Sequence, residues 1–144
     1  MDRVDIPIAL SRGATVPAYA TARSAGVDLR SAEDVVLAPM ERRRVWTGLR
    51  VAIPDGFEGQ VRPRSGLAHK FGLGMVNAPG TIDSDYRGEI GIVLINLGNE
   101  EVRLAAGERI AQLVICPIVQ ARFTAVDELD DTERGEGGFG STGT

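Results

Sequence analysis

The stretch VWTGLRVAIP, residues 45–54, carries an apolar or β-branched side chain at every second position. Successive side chains of an extended strand point to opposite faces. One face of this stretch therefore holds five side chains that can pack into a core: Val45, Thr47, Leu49, Val51 and Ile53. This period of two predicts β-structure with one buried face, closed by Pro54.

Short segments of the same kind occupy most of the chain on both sides of this stretch. They are VDIPIAL (4–10), DVVLAP (34–39), FEGQVRP (57–63), EIGIVLINLG (89–98) and ERIAQLVICPI (108–118). Gly, Pro and Asn punctuate them, and their spacing suits a β-sandwich or β-barrel. Only SGLAHKFG, residues 65–72, is a helix candidate, with Ser65 as N-cap and Gly72 as C-cap. The sequence therefore predicts an all-β domain with one short helix.

The composition indicates one ordinary globular domain. The 144 residues are 43% hydrophobic and 25% charged, and the formal net charge is -4. Proteins that bind duplex nucleic acid without sequence preference are usually basic, so no nucleic-acid partner is expected. A small anionic ligand is compatible with this charge, because a few local arginines can outweigh it.

The sequence has no apolar run long enough to span a bilayer, and its first residues lack a signal-peptide core. These features predict a cytoplasmic protein with no membrane partner. The single cysteine, Cys116, excludes an intrachain disulfide, and its apolar surroundings are typical of a buried, unreactive thiol. With His69 as its single histidine and Cys116 as its single cysteine, the sequence has too few ligands for a Cys/His zinc site.

The composition changes close to the C-terminus. An acidic stretch, DELDDTERGE (127–136), overlaps the glycine-rich RGEGGFGSTGT (134–144). Five of the last ten residues are glycine, which loses more freedom on ordering than any other residue. We predict a β-structured body over residues 1–125 and a flexible C-terminal arm over residues 126–144. The one aromatic residue of the glycine-rich stretch, Phe139, then needs a role.

The segment RPRSGLAHKFG (62–72) places two arginines directly before the helix candidate. Free N–H groups and the positive end of the helix dipole at Ser65, together with the guanidinium of Arg64, would form an anion site. A solvated arginine followed by an ordinary N-cap would give the same sequence.

Three other polar residues have two interpretations each. Asp83, in VNAPGTIDSDYRGEI (76–90), is a candidate general base towards water or a turn carboxylate that caps backbone N–H groups. Gln112 lies on an otherwise apolar strand face, where it would bond backbone groups or reach a ligand. Asp28, between two apolar residues, would approach a hydrated cation or pair with an arginine.

Five segments follow one another along the chain: AGVDL (25–29), PRSGLA (63–68), GTIDSDYRGEI (80–90), GERIAQL (107–113) and RGEGGFGSTG (134–143). In order and separation they resemble the five motifs of the trimeric deoxyuridine triphosphatases (dUTP pyrophosphatases, dUTPases). The resemblance implies a jelly-roll-like antiparallel β-barrel and a homotrimer with active sites at the subunit interfaces. It also implies an enzyme that uses Mg²⁺ and hydrolyses dUTP to dUMP and pyrophosphate, which keeps uracil out of DNA and supplies dUMP for dTMP synthesis.

The resemblance also assigns roles by position. Asp83 matches the acid that activates the attacking water, and Tyr86 matches the residue packed against the deoxyribose. Asp28 matches an acid that contacts the metal ion through water. The arm matches a segment that closes over the phosphates and the uracil. The implied substrate-binding residues are Arg64, Ser65, Gly66, Asn77, Thr81, Ile82, Tyr86, Gln112, Arg134, Phe139, Ser141 and Thr142.

Two other functions compete with this one. A dCTP deaminase, alone or as a bifunctional dCTP deaminase/dUTPase, shares the fold and much of the phosphate site, but it needs a carboxylate beside the base. The combination of Asp83, Tyr86 and a complete arm around Phe139 favours pyrophosphate release. A catalytically idle trimer that binds nucleotide or a regulator would have lost site residues, and the sequence retains them.

Overall fold

The computed structural model describes residues 3–143. They form eleven short strands and one helix, every strand pair is antiparallel, and the hydrogen bonding is divided among four small sheets. The all-β prediction is confirmed. The strands are β1 (Ile8–Leu10), β2 (Val27–Arg30), β3 (Val35–Leu37), β4 (Arg42–Trp46), β5 (Leu49–Val51), β6 (Phe57–Arg62), β7 (Leu73–Met75), β8 (Gly80–Ile82), β9 (Gly91–Asn96), β10 (Val102–Leu104) and β11 (Arg109–Pro117).

The largest sheet has the strand order β2-β11-β6-β8. Its long inner strand β11 buries four side chains in the core: Ile110, Ala111, Leu113 and Val114. A second sheet, β4-β9-β7, contributes buried side chains to the same core, and two-stranded sheets β1-β5 and β3-β10 complete it. Because β8 has a partner on one side only, its outer N–H and C=O groups are not used by the sheet.

The stretch 45–54 buries one face, as its alternation predicts, although it is not one continuous strand. The exposed fractions of its five core side chains are all 6% or less. The chain turns between β4 and β5 at Gly48, which has a φ of 71° and whose carbonyl accepts the N–H of Ser11 at 2.8 Å. One alternating run therefore supplies core side chains to two different sheets.

We expect Gly48→Ala to destabilise the fold more than Gly56→Ala does. Both glycines have a positive φ, 71° and 84°, which costs an L-residue roughly 1–2 kcal/mol. A Cβ at Gly48 would also lie 2.4 Å from the carbonyl oxygen of Ser11, whereas a Cβ at Gly56 would meet nothing within 4 Å. Thermal unfolding followed by circular dichroism should show the larger loss of Tm in Gly48→Ala. Equal losses would contradict the close packing at this turn.

The helix α1 spans Ser65–Phe71 and ends at Gly72, whose left-handed backbone confirms the predicted C-cap. The predicted N-cap, Ser65, is wrong by one residue, because the extended backbone after β6 continues through Arg64. Arg64 has a φ of -99° and a ψ of 127°, and its carbonyl accepts the N–H of Ala68 at 3.1 Å. Ser65 is therefore the first helical residue, and the N–H groups of this turn have no acceptor within the helix. Across residues 3–143, no helix is long and apolar enough to cross a membrane.

The chain leaves the sheets where β11 ends, at Pro117. Residues 117–136 are exposed throughout, and each hydrogen bond described for residues 132–143 joins two residues of that segment. The division into a body and an arm at residue 125 stays a prediction, and the last residue of that arm, Thr144, lies outside the described residues.

Candidate active site

A cavity of about 250 Å³ collects five of the predicted site residues: Asn77, Thr81, Ile82, Asp83 and Tyr86. The rest of its lining is mainly apolar and is formed by Val61, Met75, Gly80, Ile90 and Gly91. A concave site in which several polar groups converge is typical of small-molecule binding.

The path of the chain from β7 to β8 forms one wall of this cavity. A turn at residues 76–79 carries Asn77 and a cis peptide bond between Ala78 and Pro79. This turn connects two sheets and does not close a hairpin, since β7 pairs with β9 and β8 pairs with β6. All three residues of the edge strand β8 line the cavity, so backbone groups as well as side chains face a ligand.

The loop after β8 carries Asp83 and Tyr86. The N–H of Tyr86 donates to the carbonyl of Asp83 at 3.1 Å, and the Tyr86 hydroxyl donates to the carbonyl of Glu89 at 2.9 Å. The Tyr86 ring lies against Gly88, where an added Cβ would overlap it. Asp83 is exposed, so solvent water can reach its carboxylate. The loop thus presents a carboxylate and an aromatic ring to one cavity.

A second cluster forms around Asp28. The Nε of Arg64 lies 3.1 Å from Oδ1 of Asp28, and Nη1 of Arg109 lies 3.4 Å from Oδ2. Pairing of β11 with β2 and β6 brings these groups together, with Gln112 opposite Asp28. The Nε2 of Gln112 donates to the carbonyl of Pro63 at 3.1 Å. In this structure Asp28 therefore pairs with arginines, and Gln112 bonds a backbone group.

Ser65 and Gly66 follow Arg64 directly and form the exposed first turn of α1. Arg64 has five N–H donors, and its contacts to Asp28 and to the carbonyl of Arg109 (3.4 Å) occupy only part of them. Guanidinium and backbone donors therefore point to an anion site at this turn. This cluster and the cavity are separate within one chain, because the described lining of the cavity does not include Arg64, Asp28 or Gln112.

The arm residues are held by local turns. The Phe139 side chain is fully exposed, and the Nε of Arg134 donates to the carbonyl of Gly137 at 2.8 Å. The N–H of Ser141 donates to the carbonyl of Gly138 at 3.0 Å. The structure therefore does not bring Arg134, Phe139, Ser141 and Thr142 into the lining of the cavity of their own chain.

The protein offers few ligands to a metal ion. Within the part of the chain that the structure describes, no group of three or more His, Cys, Asp or Glu side chains is placed to hold one. At the cluster around Asp28, this carboxylate is partly neutralised by its two arginine partners. This donor set fits an ion such as Mg²⁺ that keeps much of its water and takes its other ligands from a bound phosphate chain.

Two residues that contact the predicted site residues have no role in the sequence interpretation: Arg109 beside Asp28 and Glu89 beside Tyr86. Arg109 completes the ion pairs of Asp28, and the carboxylate of Glu89 accepts the N–H of Gly48 at 2.8 Å. Both residues lie inside quoted motifs, GERIAQL and GTIDSDYRGEI, which is the one signal that could have marked them. Their partners are 81 and 41 residues away along the chain, so no local pattern reveals the contacts.

The sequence matches the dUTPase family model over residues 12–143. The deoxyuridine 5'-triphosphate nucleotidohydrolase of Anaeromyxobacter sp. (strain Fw109-5) is 63% identical over 128 residues, covering 89% of this chain and 87% of that protein. The protein of the same name from Nautilia profundicola is 58% identical over 134 residues, covering 93% of this chain and 94% of that protein.

Solved dUTPase structures have the same fold. The dUTPase of Staphylococcus bacteriophage 80alpha with dUPNHPP gives a TM-score of 0.90 at 34% identity, over 97% of this chain and 99% of that one. A mutant dUTPase from phage phi11 of S. aureus, which revealed the coordination of a structural Mg(II) ion, gives 0.80 at 30% identity, over 87% and 98%. These likenesses confirm the jelly-roll-like β fold. With five motifs in order and a family match that spans most of its length, this chain belongs to the dUTPase family.

Proposed function

We propose that this protein is a dUTP diphosphatase, which hydrolyses dUTP to dUMP and pyrophosphate. The cavity is the observation that carries the proposal, because Asp83 and Tyr86 share it with the edge strand β8. Relatives that are 58–63% identical bear the name deoxyuridine 5'-triphosphate nucleotidohydrolase. A solved phage dUTPase of the same fold contains dUPNHPP, an analogue of dUTP.

The edge strand and the preceding turn suit a uracil ring. Uracil donates at N3 and accepts at its C4 oxygen, whereas cytosine reverses both, so fixed hydrogen-bonding groups can separate the two bases. Thr81 and Ile82 offer backbone groups on the open side of β8, and the Asn77 amide can both donate and accept. The proposal places the base here, with Tyr86 beside the deoxyribose.

The phosphates would bind at the first turn of α1. Ser65 and Gly66 supply backbone N–H groups, Arg64 supplies guanidinium donors, and Gln112 lies next to this turn through its bond to Pro63. Mg²⁺, when bound to the triphosphate, supplies charge neutralisation, with Asp28 in contact through water. The release of Asp28 from part of its arginine pairing would free donors of Arg64 and Arg109 for the phosphates.

Asp83 would act as the general base. Its carboxylate is exposed in the cavity and can accept a proton from the attacking water as the new P–O bond forms. The phosphoanhydride between the α- and β-phosphates breaks, and pyrophosphate leaves with the bridging oxygen. Phosphoryl transfer depends mainly on position and charge, so one base and several cationic donors suffice.

A single chain leaves the cavity, the anion cluster and the arm apart, which favours a homotrimer with each site at a subunit interface. In this proposal the arm of one chain closes over nucleotide bound between its neighbours. Phe139 stacks on the uracil, Arg134 meets the γ-phosphate, and Ser141 and Thr142 bind beside them. The fully exposed Phe139 is consistent with a partner outside its own chain. We also propose a cytoplasmic location, where the nucleotide pool lies.

A product assay tests the proposed function. Purified protein is incubated with dUTP or dCTP in the presence of Mg²⁺, and pyrophosphate and ammonia are measured separately. We expect pyrophosphate from dUTP and no ammonia from either nucleotide. Ammonia from dCTP would identify a deaminase or a bifunctional enzyme, and neither product would favour an idle scaffold.

We expect Tyr86→Ala to weaken discrimination against UTP. Loss of the ring should open room for a 2′-hydroxyl, so the ratio of kcat/KM for dUTP over UTP should fall at least about tenfold, an effect common for one steric contact. Tyr19→Ala is the matched control, because Tyr19 is 54% exposed and lies outside the described lining of the cavity. An unchanged ratio in Tyr86→Ala would show that this tyrosine contributes only to packing and not to discrimination against UTP.

A further inference from the structure

The carboxylate of Glu89 fastens the loop that carries Asp83 and Tyr86. Its Oε1 accepts the N–H of Gly48 at 2.8 Å and Nε of Arg12 at 2.9 Å, and Oε2 lies 3.3 Å from the same Nε. The side chain of Glu89 is only 17% exposed. The bond from Gly48 is partly buried, and charged hydrogen bonds are stronger where water is partly excluded. The side chain of Arg12 is 49% exposed, so its ion pair with Glu89 contributes less. Together the contacts of Glu89 with Gly48 and Arg12 form a clamp.

The backbone beside Glu89 is fixed against the same turn. The hydroxyl of Thr47 donates to the carbonyl of Ile90 at 2.7 Å, and the N–H of Ile90 donates to the carbonyl of Leu49 at 2.8 Å. Ile90 in turn lines the cavity together with Tyr86. The turn at residues 47–49 therefore anchors the end of the loop next to Ile90.

The start of the loop is held more weakly. There the hydroxyl of Ser84 lies 3.3 Å from a carboxylate oxygen of Asp55, in an exposed contact. Arg87 stabilises the loop internally, through Nη1 bonds to the carbonyls of Ser84 (2.7 Å) and Tyr86 (2.9 Å). The clamp on Glu89 is thus the stronger of these two side-chain attachments.

The orientation of the Tyr86 ring depends directly on the backbone of Glu89. The Tyr86 hydroxyl donates to the Glu89 carbonyl at 2.9 Å, and the ring rests on Gly88 between the two. Any movement of Glu89 would therefore shift both the hydrogen-bond acceptor and the surface that hold the ring. The side-chain contacts of Glu89 therefore hold its backbone carbonyl in the position where it accepts the Tyr86 hydroxyl.

Arg12 acts from outside the substrate cavity. It lines a separate cavity of about 660 Å³ together with Thr47, Leu49 and Asp28. It is not among the described residues that line the cavity of Tyr86. A substitution at Arg12 can therefore disturb the clamp without removing a group from the cavity that holds Tyr86.

We propose that Glu89, held by Arg12 and Gly48, is a positioning residue that sets the ring of Tyr86 against the sugar and so determines discrimination against ribonucleotides. The inference rests on the proposed function, because it requires that Tyr86 meets the deoxyribose of dUTP. Displacement of a substrate-positioning group by 1 Å can cost about 10²-fold in rate. A similar displacement of the Tyr86 ring away from C2′ would make room for a 2′-hydroxyl group.

The test measures kcat/KM for dUTP and for UTP with full-length variants. In Glu89→Ala the dUTP/UTP ratio should fall roughly tenfold or more, through both lower efficiency on dUTP and less exclusion of UTP. Glu89→Gln keeps an acceptor for the N–H of Gly48 and should retain most of the ratio. Arg12→Ala leaves the bond between Glu89 and Gly48 in place and should give an intermediate loss.

Glu101→Ala is the matched control. It removes an exposed carboxylate that pairs with Arg103 at 2.6 Å and lies outside the lining of both described cavities, and the ratio should not change. A lower Tm in Glu89→Ala with an unchanged ratio would overturn the inference, because a purely structural clamp gives that result. Should Glu89→Ala fail to fold, an unchanged ratio in Arg12→Ala would overturn it.

The unmodified protein separates the two proposals. Failure to cleave dUTP would overturn the proposed function, and the inference with it. Cleavage of dUTP with a strong preference over UTP that persists in Glu89→Ala and in Arg12→Ala would overturn only the inference about Glu89. Loss of preference in Glu89→Ala with rescue in Glu89→Gln would support it.

Discussion

We expect Asp83→Asn to slow dUTP hydrolysis by at least about 10²–10⁴-fold, the range typical for loss of a general base. Asparagine preserves the shape of the side chain but cannot take a proton from the attacking water. Affinity for dUTP should change little, because the proposed contacts to the base, sugar and phosphates remain. Steady-state release of pyrophosphate measures turnover, and calorimetric titration with a non-hydrolysable dUTP analogue measures affinity.

Asp85→Asn is the matched control for this substitution. Asp85 is also exposed and lies two residues further along, but the described lining of the cavity does not include it. Its variant should keep near-normal turnover. If Asp83→Asn also kept near-normal turnover, or if both variants lost the same activity, Asp83 would not be the base.

Truncation after Glu133 should leave a folded protein, a trimer in the proposed assembly, with poor turnover. The hydrogen bonds described for residues 132–143 lie within that segment, so its removal should cost the body little stability. The loss of Arg134 removes a cationic group from the phosphates, and arginine fingers of other phosphoryl-transfer enzymes contribute about 10³–10⁵ in rate. The loss of Phe139 removes a stacking contact worth roughly 1–3 kcal/mol per base.

Thermal unfolding, light scattering and the dUTP assay test the three parts of this prediction. A truncated protein as active as the full chain would show that residues 134–144 are only a tail. A truncated protein that no longer folds would contradict the independence of the arm.

Mixed trimers test whether the arm acts on a neighbouring chain. Truncated chains retain Asp83, and Asp83→Asn chains retain the arm, so co-refolding should recover activity that neither variant has alone. Truncated chains that also carry Asp83→Asn, mixed with simple truncated chains, provide the inactive control. No recovery, with mixed trimers confirmed by native mass spectrometry, would contradict donation between chains.

The β class and the buried face of residues 45–54 could be predicted because alternation is a local property of an extended chain. The division of this stretch into two strands at Gly48 could not be predicted. The alternation continues through the turn, and only the partners, β9 for β4 and β1 for β5, reveal two strands in two sheets.

The candidate site shows the same limit. Asn77, Asp83 and Tyr86 are close in sequence, so one short stretch, residues 76–90, brings them to one cavity. Asp28 meets Arg64 because β11 lies between β2 and β6, an order that no local pattern reveals. The same holds for the clamp between Glu89 and Gly48.

The start of α1 required tertiary information as well. Serine is a favoured N-cap, and the sequence signal at Ser65 was therefore reasonable. The extended backbone of Arg64, whose side chain pairs with Asp28, moves the cap one residue earlier. The role of Phe139 also could not be inferred from the fold, because its side chain is fully exposed in a single chain.

The open edge of β8 also bears on self-association. An unpaired strand edge is a template for a strand of another molecule, and so a route to aggregation. β8 has only three residues, Pro79 precedes it and Asp83 follows it. Short length, proline and charge each discourage edge-to-edge pairing. The edge is therefore long enough to offer hydrogen bonds to a small planar molecule and too short to recruit a second sheet at high protein concentration.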